Sequence, residues 1–135
     1  MSAITTIASA ISATLSAYNA EVSFAPEFEL PDLAALRVVI VPVGTQYLTS
    51  SRDITETTHR LQIGVLRRCQ ANELPTLIDF MHSMARDLLH RSFSGAICTS
   101  VSFTPLYVPE HFRERRQFTS VLELECREFL TEGNI

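Results

Sequence analysis

Apolar positions along the chain predict two amphipathic helices. Over residues 2–19 they recur at intervals of three and four, which is typical of one face of a helix, and Ser2 fits the N-cap. Residues 73–91 repeat this spacing, with Pro75 in the first turn and basic residues late, where they suit the helix dipole. The two stripes are Ile4, Ile7, Ile11, Leu15 and Tyr18, and Leu74, Leu77, Ile78, Met81, Met84, Ala85 and Leu88.

Other segments have the patterns of β-strands. Residues 36–43 are rich in β-branched side chains, which predicts a strand buried on both faces, with Pro42 near its end or on an edge. Residues 56–69 and 116–129 alternate between apolar and polar positions and predict two long, half-buried strands. The inward positions are His59, Leu61, Ile63, Val65 and Arg67 on one strand, and Phe118, Ser120, Leu122, Leu124 and Cys126 on the other.

The remaining segments are shorter or irregular. Residues 21–25 and 97–107 predict two further strands, and residues 108–114 a connection with one helical turn from Pro109. Pro26 to Asp32 predicts a loop, because it holds two prolines and three acidic residues. Gly44 to Thr55 predicts a long polar loop of a kind that usually has a function. We expect this loop and the polar tail Leu130 to Ile135 to contact partners and to be mobile in a free subunit.

This order of elements predicts the fold class. One helix, three strands, a second helix and two strands follow each other, so helices do not alternate with strands as in a doubly wound sheet. We expect an α+β fold, with an antiparallel or mixed sheet of about five strands and two main helices on one face. At 135 residues the chain has the size of a single domain, residues 1–135.

Composition and charge exclude several classes of protein. With 46% hydrophobic and 19% charged residues the chain is globular rather than disordered, and no apolar run is long enough to span a membrane. A net charge of −4 disfavours a DNA-coating protein. All 11 basic residues are Arg, which suits interfacial ion pairs but equally fits a GC-rich genome. Residues 1–20 carry no charge, which fits either a contact with a neighbouring subunit or a polar exposed face.

No motif in the sequence predicts catalysis, a metal or a cofactor. The three cysteines are widely spaced without a CxxC pair, so we expect buried, reduced thiols rather than a zinc site or a disulfide framework. His82, Arg86 and His90 share one face of the second helix, and are either solvated or part of a subunit contact. We therefore predict no catalytic residue, no metal ligand and no cofactor.

Local phrases across nearly the whole chain resemble a known family. VPVG ends the apolar strand, SSRD lies in the polar segment, and HRLQIGVLRR forms the following strand. LIDFMHSMARDLLHR forms the second helix, TPLY ends a strand, and VPEHFRERRQFTSVLELECRE closes the pattern. In this order of elements the chain resembles the small tail terminator (tail completion) proteins of tailed bacteriophages and their prophage relatives.

The resemblance implies a structural role in a virion. It implies an α+β subunit that forms a hexameric ring, caps the head-proximal end of the tail tube, halts tube polymerisation and joins the tube to the neck, or head-closure, protein. DNA passes through such a ring without specific binding, no membrane is involved, and assembly takes place in the cytoplasm of a bacterial host. Our candidates for subunit or partner contacts are Tyr47, Arg52 and Asp53 in the polar segment, Arg86 and His90 on the second helix, and Arg116 in the Arg-rich region.

Two alternatives stay open. Another head–tail connector, such as a head-closure or adaptor protein, has a similar order of elements. A small soluble binding module or enzyme is a different class, and it predicts a concave pocket with perturbed titratable groups. A ring subunit predicts apolar and ion-paired lateral faces instead. Within the ring hypothesis, we expect Arg52 to form an ion pair with another subunit or a partner.

Overall fold

The computed structural model describes residues 3–18, 20–23 and 36–131. Ser2, the segment Pro26 to Asp32 and the end of the tail lie outside these residues, so the structure does not bear on their predicted roles. The elements in chain order are α1 (Ile4–Thr14), β1 (Glu21–Val22), β2 (Arg37–Ser51), β3 (Ile54–Arg68), α2 (Leu74–Leu88), β4 (Ser92–Phe93), β5 (Ala96–Phe103), α3 (Pro109–Arg115) and β6 (Gln117–Thr131), with single 3₁₀ turns at Ser16–Tyr18 and Ala71–Glu73.

The strands form one mixed sheet in the order β1-β2-β3-β6-β5-β4. β1 runs parallel to β2, and every other neighbouring pair is antiparallel. The predicted α+β class is confirmed, but the described sheet has six strands rather than about five. The additional strand is β4, which forms a tight hairpin with β5 because Ser94 and Gly95 both adopt positive φ angles, 54° and 93°.

Both predicted helices form, with shorter bounds than the periodicity suggested. α1 ends at Thr14, whose hydroxyl donates to the Ala10 carbonyl oxygen, 3.0 Å away. α2 ends at Leu88, because Leu89 is extended and His90 has a φ of 69°. Pro75 lies in the first turn of α2, as predicted. The single helical turn expected from Pro109 is a seven-residue helix, α3, which packs on β6.

The main core lies between the sheet and the two long helices. Apolar residues of α1 and α2 join the inward side chains of the central strands in one cluster, which confirms most of the predicted alternation of β3 and β6. The inward placement of Arg67 is wrong, because its side chain is 39% exposed and lies 3.4 Å from Glu73. A smaller cluster of Val39, Val41 and Leu66 lies on the opposite face, so residues 38–41 are buried on both faces, as predicted. The largest fully buried side chains are Phe93, Phe118, Ile7, Ile11, Ile40, Leu61, Ile63, Leu66, Met81, Leu88, Leu122 and Leu124.

The prediction of a long loop over Gly44 to Thr55 is wrong. β2 continues to Ser51, β3 begins at Ile54, and only Arg52 and Asp53 form the turn between them. Residues 43–49 are exposed on both faces of the strand. Because neither face is buried there, the sequence does not alternate between apolar and polar residues, and the strand was not recognised. The tail prediction is wrong in part, because residues 130 and 131 belong to β6.

Candidate functional site

The three longest strands run together to the β2–β3 turn, and we define residues 43–60 and 125–131 as the arm. In this arm β3 is the middle strand, β2 lies on one side and β6 on the other. The register produces rows of three residues across the strands, such as Leu48–Glu56–Phe129 on the outer face and Tyr47–Thr57–Glu128 on the inner face. The inner face is buried at Thr57, His59 and Glu128, so the arm offers its outer face and the side of β2 as contact surfaces.

Large apolar side chains remain exposed on the arm. Phe129 is 61% exposed and Tyr47 57% exposed, and Leu48 lies in the same row as Phe129. Burying such side chains against a partner would be favourable by roughly 25 cal/mol per Å² of apolar surface. The exposed large apolar residues of the arm are Val43, Tyr47, Leu48, Ile54 and Phe129.

Four charged side chains form a ladder on the outer face of the arm. Arg127 lies 3.3 Å from a Glu56 carboxylate oxygen and 3.8 Å from a Glu125 oxygen. Arg60 donates from Nε to the other Glu125 oxygen at 3.2 Å. These two cations and two anions balance each other within one subunit. The ladder borders the Leu48–Glu56–Phe129 row, so charge on this face is already matched before a partner binds.

A buried polar group lies on the inner face of the arm. His59 is 1% exposed, and its Nδ1 lies 3.0 Å from the Thr45 hydroxyl. His59 Nε2 and the Thr57 hydroxyl are buried without a hydrogen-bond partner in the described structure. Burial lowers the pKa of His59 below its ordinary value of 6.5, and the negative charge of Glu128 opposes that shift only in part. His59 is therefore held neutral, with Thr45 as its partner.

The three cysteines are free and buried, as predicted. Cys98 and Cys126 are register partners on β5 and β6, and a hydrogen bond between their thiols, together with burial, raises the pKa of Cys126. The pKa of Cys69 is raised mainly by burial and further by Glu73. Cys69 and Cys126 are therefore poor nucleophiles, because the thiolate is the reactive form. The hydrogen bond from Cys126 lowers the pKa of Cys98, although burial opposes that shift.

The structure separates the candidate contact residues into three places. Tyr47, Arg52 and Asp53 belong to the arm, with Arg52 and Asp53 in its turn. Arg86 lies exposed in the last turn of α2 and His90 lies just after it, where its backbone N–H donates to the Cys98 carbonyl oxygen. Arg116 caps α3 in the left-handed region and stacks over Phe112 at 5.0 Å. These six residues do not form one surface.

Sequence reasoning missed the apolar residues of the arm. Val43, Leu48, Ile54 and Phe129 were not candidates, although they are among the most exposed large apolar side chains in the described structure. For Leu48 and Ile54 the sequence held one signal, because an isolated apolar residue in a polar segment between two strands indicates a contact surface. Phe129 had no such signal, since its row depends on the register between β3 and β6.

A shallow depression of about 360 Å³ lies beside the irregularity in β2. Val43, Gly44, Thr45, Gln46, Thr58 and Arg60 line it, and Arg60, its charged member, is paired with Glu125. Within the described ranges, no group of three or more His, Cys, Asp or Glu side chains is placed to hold a metal ion. No helix in the described part of the chain is long and apolar enough to cross a membrane.

No model of a known protein family matches this chain, and no curated protein matches it significantly.

Proposed function

We propose that this protein is a structural subunit of a tailed bacteriophage, a tail terminator whose ring caps the head-proximal end of the tail tube. The observation that carries the proposal is the arm, which concentrates exposed apolar side chains beside a self-balanced charge ladder. Such a surface gains free energy when it is covered by protein. The order of elements in the sequence, which resembles the tail terminator family, supplies the specific role.

The closed ring is the simplest assembly that fits this role. A ring requires two different surfaces on each subunit, one that contacts the preceding copy and one that contacts the next. The proposal places six copies in the ring, with the tail tube protein on one side and the head-closure protein on the other. DNA passes through the centre, where an acidic protein has no electrostatic reason to retain it.

Tube capping tests this function directly. Tubes are polymerised from the tail tube protein encoded in the same genome, with and without the purified chain, and are examined by electron microscopy. We expect rings at one end of each tube and an arrest of elongation. Tubes that keep growing, with no ring at either end, would contradict the proposal. Binding to the neck of isolated heads, but not to tubes, would identify a head-closure protein instead.

Arg52 provides a narrower test of the same role. Its position in the two-residue turn places it at the tip of the arm, where a partner carboxylate could reach it. We expect Arg52→Ala to weaken assembly or capping while leaving the fold intact, and Arg113→Ala, at an exposed position of α3 outside the candidate contacts, serves as a matched control. Normal assembly and capping by Arg52→Ala would show that Arg52 makes no essential ion pair.

A further inference from the structure

The side of β2 that faces away from β3 is largely unpaired in the described structure. Among the described residues, β1 pairs only with Val39 and Ile40, and residues 43–51 have no strand neighbour on that side. We call residues 43–51 the β2 edge. An unpaired strand presents a row of backbone N–H and C=O groups, which is a template for a further strand.

The β2 edge lacks charged side chains, a common protection against pairing, and its register irregularities lie at its two ends, between Pro42 and Gly44 and between Thr49 and Ser51. Exposed edge strands normally carry charged side chains, especially Lys, or are kept very short. No residue from 38 to 51 is charged, although 19% of the chain is. At roughly 3.3 Å per residue, the nine residues of the edge span about 30 Å. Its side chains include the exposed Tyr47 and Leu48.

A second uncharged edge lies on the other half of the sheet. β4 pairs only with Ala96 and Ile97, and backbone groups of His90 and Arg91 form hydrogen bonds with those of Cys98. Residues 99–103, which we call the β5 edge, have no strand on that side in the described part of the chain. Residues 96–108 contain no charged residue. At about 17 Å, the β5 edge is short enough to lie along the β2 edge.

These two edges face outward in opposite directions, because β2 and β5 lie on either side of the β3–β6 pair. We propose that a second copy of this chain adds its β5 edge to the β2 edge of the first, so that the sheet continues from subunit to subunit. The occupant is another copy because the chain itself supplies both uncharged edges. Neither edge carries a charge that would select a charged partner, and the backbone groups of each edge can pair with those of the other.

This contact is heterologous, since different surfaces meet, and repetition of it closes a ring or extends a filament. This inference rests on the ring of the proposed function and describes the lateral interface between neighbouring subunits of that ring. The arm of each subunit would then lie against its neighbour, and Tyr47 and Leu48 would be covered there.

Charge placed on each edge tests the contact. Leu48→Lys charges the β2 edge and Ser102→Lys charges the β5 edge, and both side chains are exposed in the single subunit, so folding should persist. Ser83→Lys, on the exposed face of α2, is the matched control. Mass is measured by sedimentation and light scattering over a range of concentration, and circular dichroism checks the fold. We expect each edge variant to weaken assembly roughly 100-fold or more, and the control to assemble like the wild type.

Mixing the two variants separates a heterologous contact from a symmetric one. Each variant keeps one unmodified edge, so an equimolar mixture of Leu48→Lys and Ser102→Lys should form dimers and nothing larger. The double variant Leu48→Glu with Ser102→Lys should assemble more tightly than Leu48→Lys with Ser102→Lys, because the two edges then carry opposite rather than like charges. If Ser102→Lys assembles normally while Leu48→Lys does not, the β5 half of the inference is wrong.

Two further results would overturn the inference completely. One is a wild-type chain that stays monomeric up to about 1 mM, beyond which a contact is too weak to be specific. The other is normal assembly of both edge variants. The tube assay keeps the two proposals apart: edge-dependent rings that cap no tube would refute only the tail terminator function. Capping by rings that tolerate both charges would refute only this interface.

Discussion

His59 combines an ionisable ring with almost complete burial. Its Nδ1 pairs with the Thr45 hydroxyl, whereas Nε2 has no hydrogen-bond partner in the described structure. The neutral tautomer that places its proton on Nδ1 leaves Nε2 as a bare acceptor, which costs less than an unpaired N–H. Protonation would add a buried, unpaired donor and a charge. This explains why burial outweighs Glu128 and lowers the pKa of His59.

The lowered pKa predicts a loss of stability in mild acid. Below pH 6.5 the histidine of the unfolded chain binds a proton, but the folded His59 resists doing so. The free energy of unfolding should therefore fall as the pH decreases below 6.5, by up to about 1.4 kcal/mol per pH unit from this one group. Urea titrations between pH 5 and pH 7.5 would measure the slope.

Two variants assign that slope to His59. His59→Gln should reduce the pH dependence, although it also lowers stability at neutral pH by disturbing the contact with Thr45. Thr76→Gln, at an exposed position of α2, changes no titratable group and should retain the wild-type slope. If His59→Gln kept that slope as well, a different group would account for the acid sensitivity.

The inward residues of β3 and β6 were predictable one by one. His59, Leu61, Ile63 and Val65 occupy alternate positions, and the structure buries all four. The prediction succeeds because a strand under helices has one buried face, so burial follows the two-residue period of the backbone. The polar partners of His59 were not predictable, since Thr45 meets it only through the register of β2 and β3.

At the scale of elements, the β2–β3 hairpin shows where sequence reasoning stops. Two-residue hairpin turns are usually recognised by Asn-Gly or Asp-Gly, but here Arg52 and Asp53 form the turn. Asp53 adopts a φ of 69°, in the left-handed region that Asp tolerates better than most residues. Without a glycine, and without apolar alternation beside it, the hairpin resembled a loop. β4 was not predicted for a related reason, because a strand of two residues is too short to show an alternating pattern.

The turn predicts opposite effects of glycine at neighbouring positions. Asp53→Gly should stabilise the protein by about 0.5–1 kcal/mol, since glycine adopts a positive φ without steric cost. Arg52→Gly should destabilise it by about 0.5–1 kcal/mol, because glycine there only adds freedom to the unfolded chain. Urea unfolding of both variants gives the comparison. Equal effects at the two positions would indicate that residues 52 and 53 do not form this turn.

At the scale of the whole molecule, the fold class was easier to predict from the sequence than the candidate functional site. The order of helices and strands is sufficient for an α+β sheet because each element buries a recognisable stripe. The candidate contact residues were chosen for charge and polarity, which do not encode which strands lie side by side. Tyr47, Arg52 and Asp53 share the arm, but Arg86 and His90 lie at the end of α2. A surface composed of several strands becomes visible only with their register.

The charge distribution of the whole subunit predicts that it does not bind DNA. The net charge is −4, and Arg60, Arg67 and Arg127 each lie within 4 Å of a carboxylate oxygen. Affinity for DNA without sequence preference depends on free cations that displace counterions from phosphates. We expect fluorescence anisotropy of a labelled duplex at physiological salt to stay unchanged up to about 100 μM protein, where non-specific binders are already bound.

Glu56→Gln with Glu125→Gln releases the two arginines of the ladder, so any binding that appears should belong to this variant and weaken with added salt. Salt-sensitive binding by the wild type would mean that its other arginines outweigh the net charge of −4, and a lumen through which DNA passes freely would then be excluded.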